Sequence, residues 1–196
     1  METQSAIMSG CFWTRTAKGA LFAFCTTAFF FYTPIVQATV LREVLGEKLE
    51  RRAQAHINWL LFTVCEGTLY THAGAPVSWP ALERPFLLEL NYARDISTDQ
   101  LEELSEEVLR RNHNAPTLEA LQSQIQLFYD ALVPIAEGDR YALLFQPNKG
   151  TTLLFNGEPQ VMIPGEDFAR VYFSIYLGDQ PVHEGFRDRL LATQQD

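Results

Sequence analysis

The side chains of this chain that could carry chemistry are four histidines, three cysteines and several carboxylates. Their spacing argues against most of it. His56, His72, His113 and His183 are scattered, with no i, i+4 pair of the kind that holds zinc on a helix, so no metal is expected. Cys65 in "FTVCEGTLY" lies in an apolar stretch and reads as a small buried hydrophobe rather than a nucleophile. Glu102, Glu103, Glu106 and Glu107 recur at helical spacing and read as a solvated face, not a paired-carboxylate site. Arg94-Asp95 at a strand end reads as a structural ion pair; its alternative is an arginine near a cleft mouth that could hold a carboxylate. Gly165 has no glycine partners, so no phosphate loop follows a strand. Tyr172 and Tyr176 share a helix face and can pack in a core while their hydroxyls reach a ligand. No catalytic residue and no cofactor are assigned.

With 196 residues, 47% apolar and 20% charged, the chain is long enough and apolar enough for one domain with a real core. Arg15 and Lys18 precede an uncharged run, "GALFAFCTTAFFFYTPIVQA". Its most apolar part, Ala20 to Tyr32, falls short of the roughly 20 residues a membrane span needs. Pro34 interrupts it, and Val36-Gln37-Ala38 offers a signal-peptidase site. Residues 1–38 therefore read as a signal peptide cut after Ala38, and residues 39–196 as a single exported, periplasmic domain without a stable membrane anchor. An uncleaved N-terminus that tethers the protein is the alternative. Without Glu2, Arg15 and Lys18 the mature chain has 13 basic and 23 acidic residues, a net charge of −10, which disfavours nucleic acid and anionic lipid as partners. Nothing in the sequence indicates a protein partner. Cys11 and Cys25 leave with the signal, so Cys65 has no intramolecular disulfide partner.

The elements that must position these residues follow from periodicity. "TVLREVLGEKLERR" predicts a short helical or irregular piece. "AQAHINWLLFTVCEGTLYTHA" predicts one long bent strand with a bulge at Gly67. "AGAPVSWPALERP" is a loop. In "FLLELNYARDI", Phe86, Leu88, Leu90 and Tyr92 alternate onto one strand face. Ser97 and Gln100 form a capping box for a helix with Leu101, Leu104, Val108 and Leu109 inward; Thr117 can cap the next, with Leu118, Leu121, Ile125, Phe128 and Leu132. His72 and His113 sit beside turns and are expected to be solvated. Three short strands then turn at Asn148-Lys149-Gly150 and at Asn156-Gly157. A helix from Glu166 follows, with Gly178 in a left-handed cap, and a last helix runs from about His183 to Ala192. This order predicts an α+β chain: a large antiparallel sheet covered by helices.

"LELNYARDISTDQL" and "GDRYALLFQPNKGTTLLFNGEPQVMIPGEDFARVYFSIYLGD" resemble the bacterial chalcone isomerase-like proteins. The likeness rests on an aromatic-Ala-Arg-Asp-Ile strand end, a Gly-Asp turn, the Asn-Gly hairpin, a Phe-bearing helix and a Leu-Gly-Asp stop. It extends from about Leu49 to Leu191. It implies an open-faced β-sandwich with a cleft between sheet and helices. In the plant enzymes that cleft closes a chalcone into a flavanone; in related non-enzymatic members it holds fatty acids.

The plant pattern places a threonine five residues before the tyrosine of a Gly-Val-Tyr-Leu strand, and an arginine about a dozen residues earlier. Tyr70 matches the tyrosine, but Cys65 stands at the threonine, with Thr63 two residues further back. Ala53 stands near the arginine, with Arg51 and Arg52 as doubtful anion or enolate partners, because a one-residue slip reverses the side of a strand. The polar helix positions fall near Thr117 and Gln124, and the last cleft position on Ile175. An enolate needs preorganised donors and cations, and this set lacks most of them. The ligand-binding candidates are therefore Cys65, Tyr70, Thr117, Gln124, Tyr172, Ile175 and Tyr176. The reading is an exported, non-catalytic protein that binds a small apolar or amphipathic ligand, fatty-acid-like or flavonoid-like, between helices and sheet. The alternatives are an intramolecular lyase or isomerase acting on an enone-like substrate, and a structural or interaction protein with a collapsed cleft.

Overall fold

Alternating apolar side chains build a seven-stranded antiparallel sheet whose spatial order follows the sequence. The computed structural model describes residues 41–59, 62–72 and 75–192. The expected signal segment and its cleavage after Ala38 lie outside the described residues. The strands are β1 (Leu41–Val44), β2 (Glu47–Trp59), β3 (Phe62–Thr71), β4 (Phe86–Tyr92), β5 (Arg140–Gln146), β6 (Gly150–Phe155) and β7 (Glu158–Pro164). The helices are α1 (Thr98–Asn112), α2 (Ala115–Ala120), α3 (Gln122–Tyr129), α4 (Glu166–Leu177) and α5 (Glu184–Leu191). The fold is the expected α+β arrangement, a curled antiparallel sheet with helices on it.

The N-terminal third departs from the sequence expectation. "TVLREVLGEKLERR" is neither helical nor irregular: it supplies β1 and the start of β2. Val44 pairs with Glu47, so Leu45 and Gly46 form a two-residue loop with both φ positive, 48° and 86°. The expected single bent strand is two strands, with Trp59 paired to Phe62. Gly67 carries no bulge, because β3 and β4 stay in register from Cys65–Tyr92 to Thr71–Phe86. The irregularities of the β2–β3 pairing fall instead between Arg51 and Ala53 and between Ile57 and Asn58.

Parity of residue number assigns the faces of the sheet. Cys65, Leu69, Phe86, Leu88, Leu90, Tyr92, Tyr141, Leu143, Phe145 and Leu153 face the helices and join one core with Phe128, Phe168, Tyr172, Phe173 and Phe186. Their neighbours Tyr70, Leu87, Ala142, Leu144 and Leu154 face the other way. That outer face is not bare, because the β1–β2 hairpin curls over it. Leu49 and Val44 pack there, Arg42 reaches Glu89, and Gln146 Nε2 donates to Glu47 Oε1 at 2.8 Å. Leu49, Leu87 and Leu144 are fully buried there, each worth about 1.5–3 kcal/mol.

Capping explains the helix starts. Ser97 Oγ accepts from Gln100 N–H while Gln100 Oε1 accepts from Ser97 N–H, the expected box. Leu104, expected inward, is exposed. Asn114, not Thr117, caps the next helix; its Oδ1 accepts from Thr117 N–H and Thr117 Oγ1–H. Gly178 is not left-handed: its φ is −75°, and glycine suits the site because a Cβ would lie 2.6 Å from Ser174 O. Asn156 and Gly157 do form the tight hairpin turn, with φ of 51° and 95°. Gly157→Val should therefore lower stability by about 1 kcal/mol or more. A chemical-denaturation midpoint checks this, and an unchanged midpoint would refute the assignment of strain to this turn.

Candidate functional site

One place where polar atoms meet space is the seam between helices and sheet, where a cleft is expected. α1 packs on α4, α4 on β6, α3 on β7 and α5 on β2 and β3. The seam holds only about 30 Å³ and is bordered chiefly by Leu90, Tyr92, Tyr141, Leu153, Tyr172 and Tyr176. Aromatic packing fills the rest: Phe128 and Tyr172 centroids are 4.2 Å apart, and Phe168 stacks on Tyr172 at 5.3 Å. None of the residues around this space carries a charge.

Burial sets the chemistry of this seam. It pushes the Cys65 thiol up to about 12, and it pushes the Tyr92, Tyr172 and Tyr176 hydroxyls above their usual range. Tyr141 is tied down: its hydroxyl donates to Val133 O at 2.7 Å and accepts from Val133 N–H at 2.6 Å. Tyr129 Oη is buried without hydrogen-bond geometry to any described residue, although Ser105 lies close. A neutral thiol and neutral phenols do not serve as a base, and a phenol offers an enolate a hydrogen bond but no positive charge. Cys65 should therefore resist iodoacetamide in the native protein at pH 8 and react at once in denaturant. Mass spectrometry of timed samples measures this; rapid native labelling would show the thiolate to be accessible.

Of the seven expected ligand-binding residues, four gather in one core and three do not. Cys65, Tyr172 and Ile175 are buried in the helix-side core, with Tyr176 packed against it. Tyr70 is on the opposite face, because five residues along a regular strand reverse the side. Arg51 pairs with Tyr70 on that outer face and is exposed; Arg52 stands at the irregularity between Arg51 and Ala53. Thr63 is exposed and donates to Asn58 Oδ1. Thr117 is spent on the Asn114 cap, and Gln124 Nε2 donates to Pro164 O at 3.0 Å. No expected cation enters the seam.

The histidines and the Arg94-Asp95 pair are likewise placed. His113 is half-buried rather than solvated, its Nε2 2.8 Å from Ser174 Oγ, and burial lowers its pKa. His183 caps α5, its Nδ1 accepting from Phe186 N–H. His56 faces Glu66 at 2.9 Å, and His72 lies 3.6 Å from Glu47. Asp95 accepts from Glu137 N–H instead of pairing with Arg94. Among the described residues, no three His, Cys, Asp or Glu side chains gather as a metal site.

A second place was not foreseen. On the outer face a concavity of about 200 Å³ lies against β1 and is bordered by Arg42, Glu89, Arg140, Leu87, Ala142 and Leu154, among others. Glu89 is buried; its Oε2 accepts from Arg42 Nη2 at 2.6 Å and lies 3.3 Å from Arg140 Nε. Tyr70 lies beside them, its pKa raised by burial and then by the charge of Glu89. The available signal was Glu89 itself, a single carboxylate inside the apolar strand "FLLELNY". A charge at such a position needs a partner.

A family model described as chalcone isomerase-like matches residues 58–192, more than half of the chain. The chain belongs to the chalcone isomerase-like family. A search of curated proteins found no match. Among solved structures, the chain is similar to the crystal structure of a fatty-acid binding protein of Arabidopsis thaliana. The TM-score is 0.53 at 15% identity, over 76% of this chain and 89% of that one. At that identity the likeness speaks for the fold. Within this chalcone isomerase-like fold, the helix–sheet seam is uncharged and nearly filled, and the buried charges sit on the far side of the sheet.

Proposed function

We propose that this is an exported, periplasmic and non-catalytic chalcone isomerase-like protein that binds a small apolar or amphipathic molecule between helices and sheet. The observation that carries this reading is the seam itself: apolar walls edged with tyrosine hydroxyls and no charged group beside them. Such a lining suits an acyl chain or an aromatic ring and gives a developing enolate no positive charge to rest on. The fatty-acid binding protein of similar fold supports the same direction. Ligand entry requires the helices that border the seam to move, since about 30 Å³ holds little more than a water molecule.

That small volume favours a second reading, a structural or interaction protein with a filled core. One experiment separates the two. The protein is purified from the periplasm, its N-terminus is sequenced, and small molecules released on denaturation are identified by mass spectrometry. A start at Thr39 with a stoichiometric acyl or aromatic compound is the expected result. No released compound would favour the filled core, and an intact N-terminus in the membrane fraction would refute cleavage after Ala38 and make the protein a tethered one. Chalcone cyclisation should run at the spontaneous rate; a faster rate lost on mutating Arg51 or Arg52 would refute the non-catalytic reading.

A further inference from the structure

The outer-face concavity is separated from the helix–sheet seam by the thickness of the sheet, and it is the roomier of the two. Its about 200 Å³ lies below the roughly 300–1,000 Å³ of pockets for drug-sized ligands, so its occupant is small. One end is ionic. Arg42 and Arg140 converge on one carboxylate, Glu89, whose side chain is 7% exposed. Two guanidinium groups against one carboxylate leave one positive charge over. Arg42 Nε is buried with no acceptor among the described residues; Arg140 Nε is buried beside Glu89 Oε2 but without hydrogen-bond geometry. Buried donors of this kind are costly unless an acceptor reaches them. Glu43 also borders the concavity, but it is exposed and follows Arg42 on the strand, so its side chain points to the other side and its charge is screened. The other end is apolar, built from Leu87, Ala142 and Leu154.

We propose that this concavity is a second ligand site, on the sheet face away from the helices, and that it takes a small monocarboxylate. The carboxylate lies against Arg42 and Arg140, and its alkyl or aryl part lies on Leu87, Ala142 and Leu154. One excess positive charge suits a monoanion, and Glu89 repels a more highly charged one. Glu89 also holds the two guanidinium groups in place before the ligand arrives, which reduces the ordering cost of binding. β1 borders the site, so the β1–β2 hairpin that sequence reading missed is what completes it.

The test titrates sodium butyrate into the full-length protein, labelled for NMR at backbone amides, leucine methyls and arginine Nε–H groups. Expected are saturable shifts at Leu87, Leu154, Arg42 and Arg140, with neutral butyramide binding at least about tenfold more weakly. Formate should bind more weakly than butyrate, because it leaves the apolar end empty. Arg140→Gln should weaken butyrate by about tenfold or more. Ala142→Leu, which fills the cavity beside Glu89 and leaves the net charge unchanged, should abolish the titration in a protein whose spectrum stays folded. The proposal is overturned by no saturable shift up to about 50 mM butyrate, a weak-binding limit. It is equally overturned by an equal response to butyramide, or by shifts confined to Tyr172 and Tyr176. The last outcome would assign the carboxylate to the helix–sheet seam.

Discussion

Gly67→Ala is expected to lower stability by about 2–3 kcal/mol, the upper part of the range for overpacking a filled core. A Cβ at this position would lie 2.2 Å from Phe186 Cζ, 2.5 Å from Phe186 Cε2 and 3.3 Å from Leu90 Cδ2. Phe186 cannot swing clear, because it is fully buried. Its helix α5 packs on β2 and β3, and Ala55 and Leu90 pair with Gly67 on either side. The ring therefore sits on a floor made low by Ala55 and Gly67. Phe186→Leu shortens the intruding group, so in the Gly67→Ala background it should cost less than it does alone. A double-mutant cycle by urea denaturation gives that coupling. Additive losses would show that the glycine is not a seat for the ring.

Gly67 also marks where the sequence could and could not be read. A glycine inside a strand signals either a bulge or a close backbone approach, and the sequence alone does not separate them. The partner that decides, Phe186, lies far along the chain. Strands β4 to β7 and helices α1 and α4 were legible because period-two alternation, a capping box and an Asn-Gly turn are all local signals. The β1–β2 hairpin was not, because Leu45-Gly46 lacks the usual polar turn residue: a leucine occupies a positive φ. Losing that turn also lost β1, and with it the cover on the outer face. The opposed faces of Cys65 and Tyr70 were legible from parity. The packing that shrinks the seam was not, since it depends on how Phe128 of α3 meets Phe168 and Tyr172 of α4. The same holds for Glu89: its need for a partner is local, but Arg42 and Arg140 come from β1 and β5, each about fifty residues away along the chain.

Glu89→Ala is the second large effect, expected to cost about 3 kcal/mol, the low end for breaking a buried ion pair. The low end applies because the Arg42 and Arg140 side chains, each 33% exposed, can regain some water. The loss arises from guanidinium groups left without their carboxylate, more than from the pair's own attraction. Replacing the whole group should therefore recover most of it. Arg42→Met, Glu89→Leu and Arg140→Met together should be close to wild type in urea, since apolar groups of similar volume commonly match a buried triad in stability. If instead the triple variant is as unstable as Glu89→Ala, the charges are held for folding and need no other reason. If stability returns while butyrate binding is lost, folding does not account for three charged side chains on this face. A ligand then does, and the outer side of the sheet becomes a working surface of this chalcone isomerase-like chain.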